Sequence, residues 1–225
     1  MTSFQAVQAV RPSYATPNVP ARPQVDAADL MAQMGVRMTF AKDEEIYGQD
    51  EDADLIYRVI SGAVRTSRLL SDGRRQIGGF YDADELFGIE AGPIHRYAAE
   101  AVSDCVILVV KASALRAASG DEAYQRLTWL ATNQELDRTQ EHLLLLGRKT
   151  ACERVASFLM GLADRRRTEA VNLPMGRQDM ADYLGLTIET VSRMLTQLQS
   201  ALVVEFASTR EFRIANRGAL ARMAE

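Results

Sequence analysis

Cysteine and histidine are both scarce in this sequence, which has two residues of each among 225. Cys105 and Cys152 show no metal-ligand spacing, and two cysteines do not build a disulfide framework. This usage is typical of a protein of the reducing cytoplasm. We therefore expect no bound metal and no disulfide scaffold.

Long apolar runs are also missing from the sequence. No segment approaches the ~20 consecutive apolar residues that are needed to span a bilayer. The first residues do not show a basic segment, an apolar segment and a cleavage site in order, so a secretory signal is not expected. The predicted location is the cytoplasm, with no membrane partner.

The charges are unevenly distributed along the chain. Residues 1–147 carry 14 Lys and Arg against 21 Asp and Glu, a net charge of −7. Residues 148–225 carry 12 against 9, a net charge of +3. A basic segment beside an acidic one is the pattern expected when one domain of a protein contacts nucleic acid.

The first 120 residues divide into a tail and a β-rich segment. Prolines recur through residues 1–24 with little apolar periodicity, which predicts a disordered tail. Residues 25–120 begin with a short helix over 26–34 and continue as short β-rich runs separated by turns such as Ser71-Asp72-Gly73. Strands at this spacing predict an antiparallel β-roll or barrel.

Residues 121–147 have the pattern of one long helix that Gly147 is predicted to end as a hinge. Trp129, Leu136 and Leu143 are seven residues apart, which is the coiled-coil interval. This spacing favours a helix that pairs with its copy in a homodimer. The alternative is a helix that packs against its own roll.

The most informative stretch is MGRQDMADYLGLTIETVSRMLTQL, residues 175–198. Met180 and Leu184 give a helical spacing before Gly185, and apolar residues at spacings of three and four follow it. Gly185 suits a left-handed helix stop and Thr187 suits the N-cap of the next helix. Two helices joined by such a turn form the DNA-binding helix-turn-helix. The hairpin predicted after it, turning at residues 207–210, completes a winged helix-turn-helix over residues 148–225.

Three polar residues share the outward face of the second helix. Glu189, Ser192 and Arg193 stand at positions i, i+3 and i+4. Arginine pairs with guanine O6 and N7 in the major groove, glutamate accepts from cytosine N4, and serine is adaptable. The alternative is an ordinary solvated Glu–Arg pair.

The order of β-roll, long helix and winged helix-turn-helix resembles the CRP/FNR superfamily of bacterial transcription regulators. The resemblance covers about residues 30–225 and is carried by YRVISGAV (57–64), ACERVASFL (151–159) and DMADYLGLTIETVSRML (179–195). Within it, LGLTIETVSR looks like the FNR and FixK branches. It implies an α+β protein that binds double-stranded DNA as a homodimer, and it favours an activator that contacts RNA polymerase.

The resemblance also implies which residues bind DNA. The implied base contacts are made by Glu189, Ser192 and Arg193. The implied phosphate contacts are made by Arg177, Gln178, Thr187 and Thr190. Ile188 stands where the cyclic-AMP receptor protein has an arginine, so a second guanine contact is missing. The implied site is therefore a palindrome like TTGAT-N4-ATCAA.

Departures from the family pattern predict a regulator without a cofactor. Residues 1–104 have no cysteine for the iron–sulfur cluster of the FNR proteins. The cyclic-nucleotide cassette, Gly-Glu-Leu then Arg-Ser/Thr-Ala, is replaced by Gly88-Ile89-Glu90 and Arg96-Tyr97-Ala98. Ile89 cannot accept from a ribose hydroxyl, and Tyr97 removes the small hydroxyl beside the arginine.

Two other functional classes are the alternatives. The first is a sensor whose roll binds a cyclic nucleotide or haem, for which His95 and His142 are the available imidazole ligands. The second is an enzyme, which we do not expect because no paired carboxylates, nucleophile–histidine set or phosphate loop is recognisable. Cys152 follows basic residues near a helix start, where the pKa of a thiol is sometimes lowered. An inert, half-buried cysteine is the alternative there.

Overall fold

The computed structural model describes residues 26–166, 168 and 170–225. The predicted disordered tail, residues 1–24, lies outside them. The described chain has the predicted α+β architecture: antiparallel sheets first, one long helix next, and helices with a small sheet last. None of its helices is both long enough and apolar enough to cross a membrane.

Eight strands and three helices form the N-terminal part of the fold. The strands are β1 (Val36–Phe40), β2 (Glu45–Tyr47), β3 (Leu55–Ser61), β4 (Val64–Leu69), β5 (Arg75–Tyr81), β6 (Leu86–Phe87), β7 (Ala98–Ala101) and β8 (Cys105–Lys111). The helices are α1 (Ala27–Met34), α2 (Ala112–Ser119) and α3 (Asp121–Arg148). The strands pair antiparallel in two sheets, ordered β1-β8-β3-β6 and β2-β7-β4-β5, which confirms the predicted roll.

Strand β8 shows how the sequence pattern builds this roll. Its side chains alternate between the two faces of the sheet, as in any β-strand. Ile107 and Val109 lie in the core enclosed by the two sheets. Leu108 and Val110 lie on the other face, where they pack with Met31 of α1 and with α2. Both faces are therefore buried, which explains the continuous apolar run of this strand.

Helix α3 runs through Gly147 and ends at Arg148, so the prediction that Gly147 ends it is wrong. Its series of heptad residues is solvent-exposed: Trp129 is 64% exposed, Leu136 51% and Leu143 69%. These three side chains therefore do not pack against their own roll, although the helix itself does lie against it, as the alternative holds. Another side of α3 contacts the roll, where the Tyr81 hydroxyl donates to Glu135 at 3.0 Å.

The C-terminal part contains four helices and a three-stranded sheet. The elements are α4 (Ala151–Arg166), β9 (Ala170–Asn172), α5 (Arg177–Leu184), α6 (Ile188–Ser200), β10 (Val204–Ser208), β11 (Glu211–Ile214) and α7 (Arg217–Ala224). The antiparallel sheet has the order β10-β11-β9. The sequence predicted the β10–β11 hairpin but neither β9, which has three residues, nor α7.

One apolar core unites the C-terminal elements. Leu159 and Leu162 of α4, Leu198 of α6 and Phe212 of β11 are each at most 1% exposed. The same core includes Ala63 and Val102 of the roll region. The two parts of the chain are therefore joined by apolar packing as well as by the main chain.

Candidate DNA-binding site

The turn between α5 and α6 has the geometry that the sequence predicts. Gly185 is left-handed, with φ +62° and ψ 39°, and its N–H donates to the Ala181 carbonyl. A Cβ at this position would lie 3.3 Å from Leu146 Cδ2, so sterics and backbone both favour glycine. Thr187 caps α6, because its hydroxyl accepts from the Thr190 N–H at 3.2 Å.

Close packing of α5 against α6 fixes the orientation of the second helix. Ala181 of α5 and Val191 of α6 are both fully buried, and the small alanine side chain lets the helices approach. Met180, Leu184 and Leu195 are buried around them, as their spacing predicts. The opposite face of α6 is consequently presented to solvent.

That outward face carries the three predicted base-reading residues. Glu189 and Arg193 are exposed and Ser192 is half-buried. Among the described residues, Arg193 forms no ion pair with Glu189; the ion pair with this i,i+4 spacing is Arg126–Glu122 of α3. The solvated Glu189–Arg193 pair of the alternative is therefore not observed. The charge of the Arg193 guanidinium is not neutralised by Glu189.

Glu189 is held in its charged form at the start of α6. The pKa of its carboxyl lies below the ordinary value because its own backbone N–H, and then the Thr187 hydroxyl, hydrogen-bond the carboxylate. Ionised carboxylates accept hydrogen bonds and donate none. At neutral pH, Glu189 is thus an acceptor, as a contact with cytosine N4 requires.

The four predicted phosphate-contacting residues lie at the starts of α5 and α6. Arg177 donates from Nη1 to the Ser192 hydroxyl at 3.3 Å, which brings a predicted phosphate contact beside a predicted base contact. Gln178 donates from Nε2 to Asp182 at 2.8 Å. The Thr187 and Thr190 hydroxyl oxygens are 3.2 Å apart. Helix N-termini present free N–H groups to anions, so this placement suits phosphate.

Two arginines that the sequence analysis did not single out support the site. Arg154 of α4 donates to the main-chain carbonyls of Lys149, Leu184 and Leu146, each at 2.9 Å. It thereby joins the end of α3 to the end of α5. Arg210 in the wing donates to the Pro174 carbonyl at 2.7 Å, which fixes the wing to the loop before α5. Neither contact could be predicted from neighbouring residues in the sequence, because the Leu184 and Pro174 carbonyls are 30 and 36 positions from the arginines that bind them.

Comparison with known proteins identifies the two halves of the chain. Residues 37–120 match the cyclic nucleotide-binding domain family, and residues 153–223 match the Crp-like helix-turn-helix domain family. The nitrogen fixation regulation protein FixK of Azorhizobium caulinodans is 47% identical over 87% of this chain and 82% of its own. The FixK of Rhizobium meliloti is 42% identical over 76% and 79%.

The chain belongs to the CRP/FNR family, in its FixK-like branch. The solved structure of FixK2 from Bradyrhizobium japonicum agrees, with a TM-score of 0.81 and 47% identity over 85% of this chain and 98% of that one. The protein is a DNA-binding transcription regulator of FixK/FNR type. The DNA contacts of its individual residues stay predictions.

A cavity of about 370 Å³ opens between the roll of this FixK-like regulator and α3. Arg96 stands at its edge, 71% exposed, and is paired with Glu90 at 3.1 Å from Nε to Oε2. The ring of Tyr97 lies so close to Gly78 that a Cβ there would be 2.9 Å from its Cε1. At the edge of this cavity, the arginine that the resemblance expects to hold a cyclic phosphate is therefore paired with a carboxylate.

Both histidines of this FixK-like regulator are packed against tyrosines. The His95 ring is fully buried and stacks on Tyr47 at a centroid distance of 3.7 Å. His142 stacks on Tyr183 at 4.0 Å, and its Nε2 is 2.7 Å from the Tyr183 carbonyl. Burial lowers the pKa of both imidazoles, so both are neutral near pH 7. Over the described residues, no cluster of three or more His, Cys, Asp or Glu has metal-binding geometry.

The two cysteines of this FixK-like regulator are not activated thiols. Burial raises the pKa of Cys105, whose Sγ donates to the Ala63 carbonyl at 3.1 Å. Burial, and then the neighbouring charge of Glu153, raise the pKa of Cys152. The suggestion that basic neighbours lower the Cys152 pKa is therefore wrong, because both influences on this thiol raise its pKa, and the half-buried cysteine of the alternative is the one observed.

Proposed function

We propose that this FixK-like regulator binds a palindrome like TTGAT-N4-ATCAA as a homodimer and needs no cofactor to do so. The observation that carries the proposal is the outward face of α6. There Glu189 and Arg193 are exposed, one turn apart, and not paired with each other. The rest of α6 is fixed by buried packing against α5.

The chemistry of this face suits a half-site with a single G·C pair. Arg193 would donate to guanine O6 and N7, and the charged carboxylate of Glu189 would accept from cytosine N4. Ile188, which is 37% exposed at the start of α6, offers neither donor nor acceptor. One arginine and one glutamate per helix therefore fit TTGAT, in which one pair of five is G·C.

The exposed apolar face of α3 supports a homodimer. Five of its large apolar side chains are more than half exposed in the single chain: Trp129, Leu130, Leu136, Leu143 and Leu144. Leaving this much apolar surface in water is costly, and a second copy of the same helix would cover it. The seven-residue spacing of Trp129, Leu136 and Leu143 is the one that pairs helices along a seam.

The groups lining the roll support binding without a cyclic nucleotide or haem. Arg96 is occupied by Glu90, and Ile89 supplies no acceptor for a ribose hydroxyl. His95 is enclosed by aromatic rings and His142 is bonded to a main-chain carbonyl. The competing function, a sensor controlled by one of these ligands, would require these pairings to break.

The name of one relative supports an activating role in transcription. The transcriptional activatory protein AadR of Rhodopseudomonas palustris is 38% identical over 74% of this chain and 72% of its own. We infer by analogy that the dimer activates transcription through contact with RNA polymerase. Since its target is DNA, the cytoplasm is the proposed location.

Protein purified in air without ligands should bind a duplex carrying the palindrome with a Kd on the order of 10⁻⁸ M or below, as specific complexes do. Cyclic AMP, cyclic GMP and haem should change neither this Kd nor the melting temperature, because a ligand shifts an equilibrium only by its differential affinity. Fluorescence anisotropy and thermal unfolding measure both, with a duplex of scrambled half-sites as control. A tenfold tightening by one ligand, about 1.4 kcal/mol of coupling, would make the roll a sensor.

A further inference from the structure

Four charged residues connect the roll to the helix-turn-helix. Arg65 of β4 and Arg75 of β5 face Asp179 and Asp182 of α5, and we call these four residues the interdomain cluster. The two arginines are more than 100 positions from the two aspartates in sequence. The cluster is thus a purely tertiary contact between the β-roll and the first helix of the DNA-binding motif.

In the interdomain cluster, two arginines of the roll bind two aspartates of α5. Arg75 donates from Nη2 to Asp179 at 2.7 Å and from Nε to Asp182 at 2.8 Å, so one guanidinium holds two carboxylates one turn apart. Arg65 donates from Nη1 to both carboxylate oxygens of Asp179 at 3.3 Å. Planar guanidinium groups fix orientation as well as distance.

Burial makes this contact expensive to break. Arg65 and Asp179 are each 7% exposed. Arg65 also pairs with Glu100 of β7, at 2.7 Å from Nε to Oε2, so the roll holds the guanidinium in place. Separating a buried charge from its partners is costly. Asp179 also accepts from the Gly176 N–H at 3.2 Å, which fixes the first turn of α5. Movement of α5 away from the roll would break the contacts of both arginines with Asp179 and Asp182 together.

Strand β5 links the cluster to the proposed dimer helix. Its first residue, Arg75, holds α5, and its last residue, Tyr81, donates to Glu135 of α3. Seven extended residues span about 20 Å, and β5, at the edge of its sheet, is paired with β4 from its first residue to its last. Next along the chain, Glu85 is paired with Arg138 of α3 at 2.6 Å. Through β5, the helix-turn-helix is thereby connected to α3, the helix that would lie at the dimer axis.

We propose that Arg75 and Arg65 are positioning residues for DNA recognition, which set the spacer length that the dimer accepts. Through Asp179 and Asp182 they would fix the distance and the angle of each α6 from the dimer axis. The inference rests on the proposed function, namely palindrome binding by a homodimer. A dimer with rigidly placed reading helices discriminates against a spacer that moves one half-site by about 3.4 Å, the rise of one base pair.

The test compares affinities for spacers of four and five base pairs. The wild-type protein should prefer the four-pair spacer by about tenfold or more. Arg75→Gln and Asp182→Asn should each reduce this preference to about threefold or less. The first substitution removes a positive charge and the second a negative charge, so their effects on attraction to phosphate are opposite. A shared loss of spacer preference therefore reports positioning.

Arg74→Gln is the matched control for charge. Arg74 is adjacent to Arg75 and 78% exposed, and it pairs with Asp72 of its own hairpin at 2.7 Å. It should keep the wild-type spacer preference. Arg75→Lys is the second variant: it retains the charge but cannot hold two carboxylates with a planar fork, so the preference should still fall. Circular dichroism identifies any variant that does not fold.

Two results would overturn the proposal. One is an unchanged spacer preference in folded Arg75→Gln, Arg75→Lys and Asp182→Asn. The other is an equal loss of preference in Arg74→Gln, which would attribute the effect to charge alone. If the wild-type protein binds neither duplex, the proposed function itself fails, and that outcome is distinguishable because it precedes any comparison of variants.

Discussion

Replacing Arg193 by alanine is expected to weaken binding to the palindrome by roughly 1–3 kcal/mol in each half-site. The reason is that the exposed guanidinium, which forms no ion pair with Glu189, loses its bidentate contact with guanine. Both half-sites lose it, so the palindrome would lose roughly 2–6 kcal/mol in total. The preference at that base pair should relax, which sequence selection with the variant measures.

Thr190→Ala is the matched control on the same helix. Its hydroxyl lies 3.2 Å from that of Thr187 at the start of α6, where phosphate is the expected neighbour. Its loss should weaken binding to all sequences alike, without changing the consensus. If Arg193→Ala leaves the selected consensus unchanged, guanine is read by another residue and our assignment is wrong.

Inserting five base pairs between the half-sites is expected to abolish simultaneous binding of the dimer to both of them. Two reading helices of a dimer engage half-sites about 34 Å apart on one face of the duplex. Half a helical turn places the second half-site on the opposite face, where the second α6 cannot reach it. Affinity for the lengthened duplex should fall to that for a single half-site, and gel-shift titration measures this fall.

An insertion of ten base pairs is a second test. It returns the second half-site to the same face of the duplex but leaves it too far from the first. Binding should stay weak for a dimer braced by α3 and the interdomain cluster. Equal affinity for the original duplex and for the duplex lengthened by five base pairs would contradict dimeric reading of a palindrome. The exposed apolar face of α3, with Leu143 69% exposed, would then need another explanation.

The elements predicted best from sequence are those whose signals are local. Gly185 and Thr187 terminate α5 and begin α6 because each acts through its own backbone conformation or hydroxyl. The continuous apolar run of β8 likewise reflects burial on both faces of its sheet. By contrast, β9 has only three residues and pairs with a strand that follows 39 positions later, so no window of sequence reveals it.

The features that sequence could not predict are contacts between distant polar residues. Asp179 looks like an ordinary acidic residue in the first turn of a helix, yet it is buried against two arginines of the roll. Arg154 looks like surface charge, yet it binds three main-chain carbonyls. In the same way, the position of Cys152 beside basic residues suggested an acidic thiol, and only its burial shows that the pKa rises.

Selection from a random DNA pool shows whether the ligand-free protein recognises a specific palindrome. The protein would be purified in air without nucleotide or haem, and bound duplexes would be sequenced after several rounds. We expect enrichment of two inverted TTGAT-like half-sites separated by four base pairs. Enrichment of no palindrome, or of a palindrome only after a cyclic nucleotide or haem is added, would contradict it.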